Sequence, residues 1–298
     1  MTPRLLGVVA AILIAGCGSS AGSAQTGRTT TSTAKKLAGS SGGVASAAGG
    51  PRQVARLVLP ASSPARSVRV PILTYHRVHD YQTEYTKSIP DETVEPGVFA
   101  AEMAALARGG YHTISQVELF HALFDGARLP AKPVMITVDD GYVDDVRTIL
   151  PVLERHHMVA TFYVITGRYH EQGFLNETEV RRLDQAGMDL GAHTRTHVPL
   201  NAVPAAEVRD QVVGSRRDLQ RVLGHFVYFF AYPYGAFSPA VVAEVRRAGF
   251  VLAVTTMGGT TESSAAPLTL PRIHVGRSQT PAGLIACVRV GGCGGGGT

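Results

Sequence analysis

The stretch from Val134 to Tyr142, VMITVDDGY, constrains the fold of this chain more than any other. Five residues of apolar or β-branched character lead directly into two adjacent carboxylates, Asp139 and Asp140, and a glycine. A short apolar run of this kind predicts a buried strand, and the polar residues behind it predict a site where the strand ends. Two neighbouring acids are unfavourable there unless a positive charge or a metal ion binds one of them.

Predicted strands and helices alternate through most of the chain. The pattern predicts further strands at 70–76, 112–114, 159–164, 188–192, 227–231, 251–255 and 268–275. It predicts helices at 96–107, 115–124, 176–187, 204–223 and 238–248, and one that starts near Pro151. Because the strand cores are almost continuously apolar, we expect an α/β fold whose parallel strands form a barrel or a covered sheet.

Chemically active side chains fall where the predicted strands end. They are His76, Asp139, Asp140, His193, His197, Tyr232, Tyr234 and His274. Parallel α/β folds build their active sites at the carboxyl ends of their strands. The coincidence therefore predicts one shared site at that edge.

Some of these residues have metal-binding chemistry. One aspartate of the Asp139-Asp140 pair, together with His193 and His197, makes a three-ligand set for a divalent ion with an open position for water. The second aspartate would then be free to act as a base on that water. Asp-Asp-Gly alone is more often a turn, and two histidines alone can be ordinary surface residues. Their combination favours a metal site.

The basic excess of the chain is confined to its amino-terminal part. The formal net charge is +5, but residues 17–68 contain six basic residues and no acid. Residues 69–298 contain 21 basic and 23 acidic residues, so the folded part has no nucleic-acid signature. Ser, Gly, Ala and Thr dominate 17–68, and this composition predicts a flexible tether.

A processing signal occupies residues 1–16. Arg4 precedes an apolar run that is too short to span a bilayer, and Leu-Ile-Ala-Gly stands directly before Cys17. This pattern resembles a bacterial lipoprotein signal, in which Cys17 is lipidated and becomes the mature amino terminus. An ordinary secretory signal is the alternative, and either one predicts export. We expect an extracytoplasmic protein anchored to the cell membrane, with its functional domain at 69–290 and a Gly-rich tail at 291–298.

Two further cysteines, Cys287 and Cys293, stand near the carboxyl terminus. An exported protein meets oxidising conditions, which permit a disulfide between them. Free thiols are the alternative, and no histidine lies nearby that would indicate a metal site.

Three motifs follow one another along the chain. They are Thr137-Val138-Asp139-Asp140-Gly141, His193-Thr194-x-x-His197 and Tyr232-Pro233-Tyr234-Gly235. This ordered set resembles the polysaccharide deacetylases of carbohydrate esterase family 4, and the resemblance covers most of residues 69–275. Each motif alone is weak, whereas three in order at strand ends are specific. The resemblance implies a distorted (β/α) barrel and a metal-dependent hydrolase that removes acetyl groups from N-acetylglucosamine-containing polysaccharide.

The resemblance also implies a role for each matched residue. Asp140, His193 and His197 match the metal ligands, with zinc the usual ion and cobalt or nickel as alternatives. Asp139 matches the general base, and the backbone N–H of Tyr234 matches the group that stabilises the oxyanion. The substrate-binding residues that we expect are Tyr234, Pro233, Tyr232, His76 and Tyr142.

The proton donor for the leaving amine is less well defined by the motifs. The family uses a late histidine, and His274 is the best-placed candidate, although its neighbours depart from the usual Leu-x-His pattern. His76, after the first strand, is the rival. Ala231 stands where the family has an arginine that orients the base, and Arg272 is a candidate substitute.

The expected substrate is a poly-N-acetylglucosamine-type exopolysaccharide or peptidoglycan, and the sequence does not determine the oligomeric state. Two alternatives stay open. The missing arginine at position 231 would suit a catalytically inactive glycan-binding lipoprotein, although a binder needs no base at Asp139. The same site could equally hydrolyse O-acetyl esters, since esters and amides share the geometry of attack.

Overall fold

The residues described by the computed structural model are 56–62, 64–83 and 90–291. The predicted signal peptide at 1–16, the predicted lipidation site Cys17, most of the predicted tether, and the tail with Cys293 lie outside the described residues. Cys287 is disulfide-bonded, and the two other cysteines of the sequence both lie in the parts that are not described. Among the described helices, none combines the length and the apolar character required to cross a bilayer.

Short strands are distributed along the whole described chain. They are β1 (Ser67–Arg69), β2 (Ile72–Tyr75), β3 (Arg77–Val78), β4 (Thr93–Val94), β5 (His112–Thr113), β6 (Pro133–Val138), β7 (Thr161–Val164), β8 (Asp189–Ala192), β9 (Phe229–Ala231), β10 (Leu252–Val254), β11 (Thr261–Ser263) and β12 (Ile273–His274). The main sheet has the order β10-β9-β8-β7-β6-β2-β12, with β5 paired to β6. Its pairings are parallel, as the continuous apolar strand cores predict.

The segment before β12 brings the two edges of this sheet together. Leu270 forms a parallel bridge with Val254 at the end of β10. Three residues later Ile273 pairs with Leu73 of β2. The sheet therefore curls into a distorted (β/α) barrel, which confirms the predicted fold class.

Helices lie between the strands. They are α1 (Pro96–Arg108), α2 (Gln116–Phe124), α3 (Leu150–Arg155), α4 (Glu177–Gln185), α5 (Ala205–Arg209), α6 (Ser215–Leu223), α7 (Pro239–Arg247) and α8 (Pro281–Val290). Ser115 and Asn176 form capping boxes at the starts of α2 and α4, as predicted. π-Helical segments precede α3, at Asp145–Ile149, and join α5 to α6, at Asp210–Gly214. The helix predicted near Pro151 therefore begins earlier, and the one predicted at 204–223 contains a π segment.

The barrel strands alternate between two buried faces. On β6, Val134, Ile136 and Val138 belong to the core layer that also contains helix residues such as Leu106 and Leu153, whereas Met135 belongs to a second core cluster. Ile72, Tyr163, Phe229 and Leu252 are members of that second cluster on neighbouring strands, so it lies inside the barrel. Side chains alternate with a period of two, and Thr137 and Asp139 therefore share the inner face with Met135.

The same alternation positions the other polar residues at the mouth of the barrel. Counting by two from Ile72 leads to His76, and counting by two from Leu270 leads to Arg272 and His274. These three residues and Asp139 thus have the parity of the inner face. The mouth is the carboxyl end of the parallel strands, where active sites of such folds lie.

Two segments that precede the predicted start of the domain at residue 69 contact the domain. Leu57 is 5% exposed and packs in the inner core cluster. β1 pairs with β11, with Ser67 opposite Ser263. Leu57 and β1 therefore contact the folded domain, whereas Val58 is 61% exposed.

Candidate active site

The two acids that follow β6 have different partners. Asp140 has a positive φ of 77°, so the backbone turns sharply where the strand ends. Gly141 has a positive φ as well, and a Cβ there would lie 2.9 Å from Cγ1 of Val164, so only glycine fits. Asp139 consequently stays on the inner face of the barrel, while Asp140 meets the two histidines that follow β8.

Asp140, His193 and His197 form a group whose ligand atoms lie within 4.8 Å of one another. Asp140 Oδ1 lies 3.5 Å from His193 Nε2 and 3.3 Å from His197 Nε2. Donors placed about 2.1 Å from a tetrahedral ion are about 3.4 Å apart, so these separations fit a zinc-sized ion without rearrangement. Asp140 Oδ1 is also buried without a hydrogen-bond partner among the described residues, which fits an oxygen that binds a cation.

Both histidines have a partner for their second ring nitrogen. His193 Nδ1 lies 2.8 Å from the carbonyl oxygen of Ala231. Because a carbonyl only accepts, Nδ1 carries the proton and Nε2 presents its lone pair toward Asp140. His197 Nδ1 lies 3.1 Å from the hydroxyl of Tyr234. Partners of this kind are the usual means by which proteins orient metal-binding histidines.

Burial disfavours the charged form of each member of this group. It raises the pKa of Asp140 to about 7, and the adjacent Asp139 carboxylate adds to the increase. Burial lowers the pKa of His193, and it lowers the pKa of His197 to about 3 with a further contribution from His193. Neutral imidazole is the form that binds metal, and a divalent cation would offset the cost of ionising Asp140. The donor set therefore fits a divalent metal ion.

Asp139 is held by a buried arginine from a distant part of the chain. The two terminal nitrogens of Arg272 donate to Asp139 Oδ1 at 2.8 Å and to Oδ2 at 2.6 Å. Burial alone would raise the pKa of Asp139, but the Arg272 guanidinium outweighs it and holds this pKa well below its ordinary value. Arg272 thus occupies the role that the missing arginine at Ala231 leaves open, and it keeps Asp139 ionised.

Two histidines considered as proton donors lie side by side at the same mouth. The ring centroids of His76 and His274 are 5.9 Å apart, and His76 Nε2 is 4.0 Å from Glu92 Oε1. Burial lowers the pKa of His76 to about 4, although Asp139 opposes the shift. His274 is more exposed, and burial and then Arg272 lower its pKa. Glu92 was not indicated by any motif, because it comes from the irregular segment before α1.

The residues expected to bind substrate divide into exposed and buried ones. Tyr234 is 62% exposed at a positive φ of 58°, and its ring lies 4.6 Å from that of His197. Tyr142 is half-buried and stacks on Phe174 with centroids 4.7 Å apart. Tyr232 is fully buried and donates its hydroxyl hydrogen to the carbonyl of Leu268.

This burial corrects two of the expectations. Tyr232 follows Phe230 by two residues, so both side chains lie on the same face of the chain, in the outer core layer under the helices. Pro233 is buried as well. Neither side chain can therefore contact a glycan, and their part in the motif is to shape the turn that exposes Tyr234.

Comparisons with known proteins agree with this fold. The family model for polysaccharide deacetylase matches residues 126–253. This chain is similar to the solved structure of the Streptococcus pyogenes deacetylase PplD in complex with acetate. The two structures align with a TM-score of 0.69 and 27% sequence identity, over 74% of this chain and 98% of that one. The chain is thus similar to polysaccharide deacetylases in sequence and in fold.

Curated proteins with polysaccharide deacetylase names are similar to this chain as well. YxkH of Bacillus subtilis is 25% identical over 70% of this chain and 72% of that protein. The peptidoglycan-N-acetylglucosamine deacetylase of Bacillus cereus is 32% identical over 52% of this chain, and the match spans about half of that enzyme, 54%. The name of the Bacillus cereus relative describes a deacetylase.

Proposed function

We propose that this protein is a metal-dependent hydrolase that removes acetyl groups from an N-acetylglucosamine-containing polysaccharide. The observation that carries the proposal is that two adjacent carboxylates have different partners. Asp140 shares a ligand-spaced group with His193 and His197. Asp139, next in the chain, is kept ionised by Arg272 and is available to accept a proton.

Asp140, His193 and His197 would hold the ion, and zinc is the ion that suits two imidazoles and one carboxylate best. A divalent ion bound there supplies Lewis acidity, which activates water and polarises the acyl oxygen of the substrate. Asp139 is positioned by two hydrogen bonds from Arg272, so its carboxylate is fixed while it takes the proton of the attacking water. Tyr234 lies at the exposed rim, where its backbone N–H would stabilise the oxyanion.

The leaving nitrogen requires a proton, and we assign its transfer to the two histidines at the mouth of the barrel, with His274 as the donor and His76 as the rival. Their ring centroids are 5.9 Å apart, so both imidazoles lie at the same mouth. The proton that Asp139 accepts from the attacking water would return to the leaving nitrogen through one of these imidazoles.

The names of the relatives and the aromatic side chains at the site support this substrate class. The Bacillus cereus relative is named for peptidoglycan N-acetylglucosamine, and Tyr234 and Tyr142 offer ring faces near the site for a sugar. We further propose that the protein is exported and lipid-anchored through Cys17, which would place cell-wall glycan within its reach. The glycan-binding alternative loses its only support, because Arg272 supplies the arginine that position 231 lacks.

The test is acetate release by the purified protein. N-Acetylglucosamine oligomers, peptidoglycan and an O-acetylated glycan are compared after chelation and after zinc is restored. His121→Ala, which changes an exposed histidine paired with Asp125 far along the sequence from the motifs, serves as the control for histidine loss. Release from an N-acetylated glycan that depends on zinc and persists in the control supports the proposal. Release confined to the O-acetylated glycan, or none with zinc bound, contradicts it.

A further inference from the structure

A second group of metal-ligating side chains lies at the mouth of the barrel. His76 follows β2, Glu92 ends a short 3₁₀ turn at Pro90–Glu92, and His274 ends β12. Their ligand atoms lie within 4.8 Å of one another. The group shares no residue with Asp140, His193 and His197, and it has the same composition of two imidazoles and one carboxylate.

The spacing of this second group is looser than that of the first. His76 Nε2 and Glu92 Oε1 are 4.0 Å apart, whereas the donors around Asp140 are 3.3 Å and 3.5 Å apart. A tetrahedral ion with bonds of about 2.1 Å requires separations near 3.4 Å. The second group must therefore contract by roughly half an ångström at this pair, which a side-chain rotation of Glu92 provides.

The second group also lacks the supporting hydrogen bonds of the first. His76 Nδ1 is buried without a hydrogen-bond partner among the described residues, whereas His193 Nδ1 is fixed by the Ala231 carbonyl. Loss of such a supporting partner weakens metal affinity by about 10- to 100-fold. An ion would therefore fill the Asp140 group first and the His76 group only at higher concentration.

We infer that His76, Glu92 and His274 form a second, weaker zinc-binding site whose occupancy inhibits the enzyme. The inhibitory part rests on the proposed function, because a zinc ion bound to His76 and His274 takes the ring lone pairs of both candidate proton donors. Neither imidazole can then pass a proton to the leaving nitrogen. Moderate zinc would thus activate the protein by filling the first site, and excess zinc would inhibit it by filling the second.

Zinc binding by the full chain, measured by equilibrium dialysis with elemental analysis, tests the site without reference to activity. We expect the wild type to bind a second equivalent at higher free zinc and Glu92→Gln to bind one equivalent less. Asp91→Asn changes the neighbouring carboxylate outside the group and should keep the wild-type count. Asp140→Asn should lose the tight equivalent and keep the weak one. A wild type that saturates at one equivalent, or a Glu92→Gln count equal to that of the wild type, overturns the inference.

Acetate release under the same zinc series tests the inhibition. The wild type should pass through a maximum and then decline, and the decline should move to at least about 10-fold higher zinc in Glu92→Gln. Two bound equivalents without any decline would overturn the inhibitory role. If no acetate is released at any zinc concentration, the proposed function fails, whereas the binding counts still decide whether the second site exists.

Discussion

Replacing Arg272 by methionine tests how much the ion pair between Arg272 and Asp139 contributes to stability and to the ionisation of the candidate base. Arg272 is 3% exposed, and it donates to both oxygens of Asp139, to the hydroxyl of Thr137 and to the carbonyl of Thr255. Methionine keeps much of the apolar volume of the side chain and removes its charge and its hydrogen bonds. Asp139 is then left as a buried carboxylate without a counter-charge.

The expected loss of stability is large. Removing one partner of a buried ion pair costs about 3–5 kcal/mol of unfolding free energy, because the other charge stays buried and unpaired. Arg272→Met with Asp139→Leu removes both partners, and an apolar replacement of the whole pair is often close to neutral. The double variant should therefore be more stable than Arg272→Met alone. Arg247→Met, which breaks an exposed pair with Glu244, should change stability by about 1 kcal/mol or less.

The pH dependence has a definite sign. In the wild type the folded-state pKa of Asp139 is held below its unfolded value, so its stabilising effect is present above the unfolded pKa and is lost only as the pH falls toward the folded pKa. In Arg272→Met, burial is no longer opposed and the pKa of Asp139 rises. The acid limb of the activity profile should therefore shift to higher pH. The stability of Arg272→Met should fall as the pH rises through the unfolded pKa of Asp139, because the unpaired carboxylate then ionises more readily in the unfolded chain.

Chemical denaturation followed by circular dichroism, together with acetate release between acidic and neutral pH, measures both effects. A cost for Arg272→Met no larger than that of Arg247→Met would refute the account of the ion pair. An unchanged acid limb would refute the assignment of Asp139 as the group that Arg272 keeps ionised.

Three further predictions concern groups elsewhere in the domain. Glu262 is fully buried with neither carboxylate oxygen hydrogen-bonded among the described residues, and burial raises its pKa to about 9. The domain should therefore lose stability as the pH rises from about 4.5 toward 9, and Glu262→Gln should stabilise it at pH 7 by about 3 kcal/mol in denaturant titrations; an unchanged or lower stability would contradict this. Gly235 has a φ of 63°, and a Cβ there would collide with the Thr256 hydroxyl. Gly235→Ala should therefore displace Tyr234 and lower kcat while zinc stays bound. A variant with the wild-type kcat would exclude a role for this turn. Zinc at about 100 times its Kd should raise the unfolding free energy by about 3 kcal/mol, and His193→Ala should abolish the increase in the melting temperature; an equal increase in the variant would place the ion elsewhere.

Much of the fold was predictable because its signal is local. Apolar runs of strand length with polar ends fix the parallel barrel and the edge at which the site lies. Period-two counting from Met135 reaches Asp139, and the same counting from Phe230 would have placed Tyr232 in the outer core. The burial of Tyr232 was not anticipated, because the motif was read as a unit and this alternation was not applied to it.

Features that depend on contacts between distant segments were not predictable in the same way. Arg272 and Asp139 are 133 residues apart, so only the closure of the barrel between β10, Leu270 and β2 brings them together. Glu92 joins the site from a segment without apolar periodicity. Leu57 is buried because it packs in the inner core cluster. This contact was not predictable, because the composition around Leu57 favours a flexible tether.

The central claim is that adjacent carboxylates divide the work, with Asp140 binding the metal ion and Asp139 moving the proton. Paired measurements of bound zinc and acetate release in Asp139→Asn and Asp140→Asn test it most directly. The account predicts that Asp139→Asn keeps the tight zinc equivalent and loses turnover by about 10²- to 10⁴-fold, while Asp140→Asn loses both. An Asp139→Asn variant that releases acetate at nearly the wild-type rate, or an Asp140→Asn variant that still binds zinc tightly, would contradict the account.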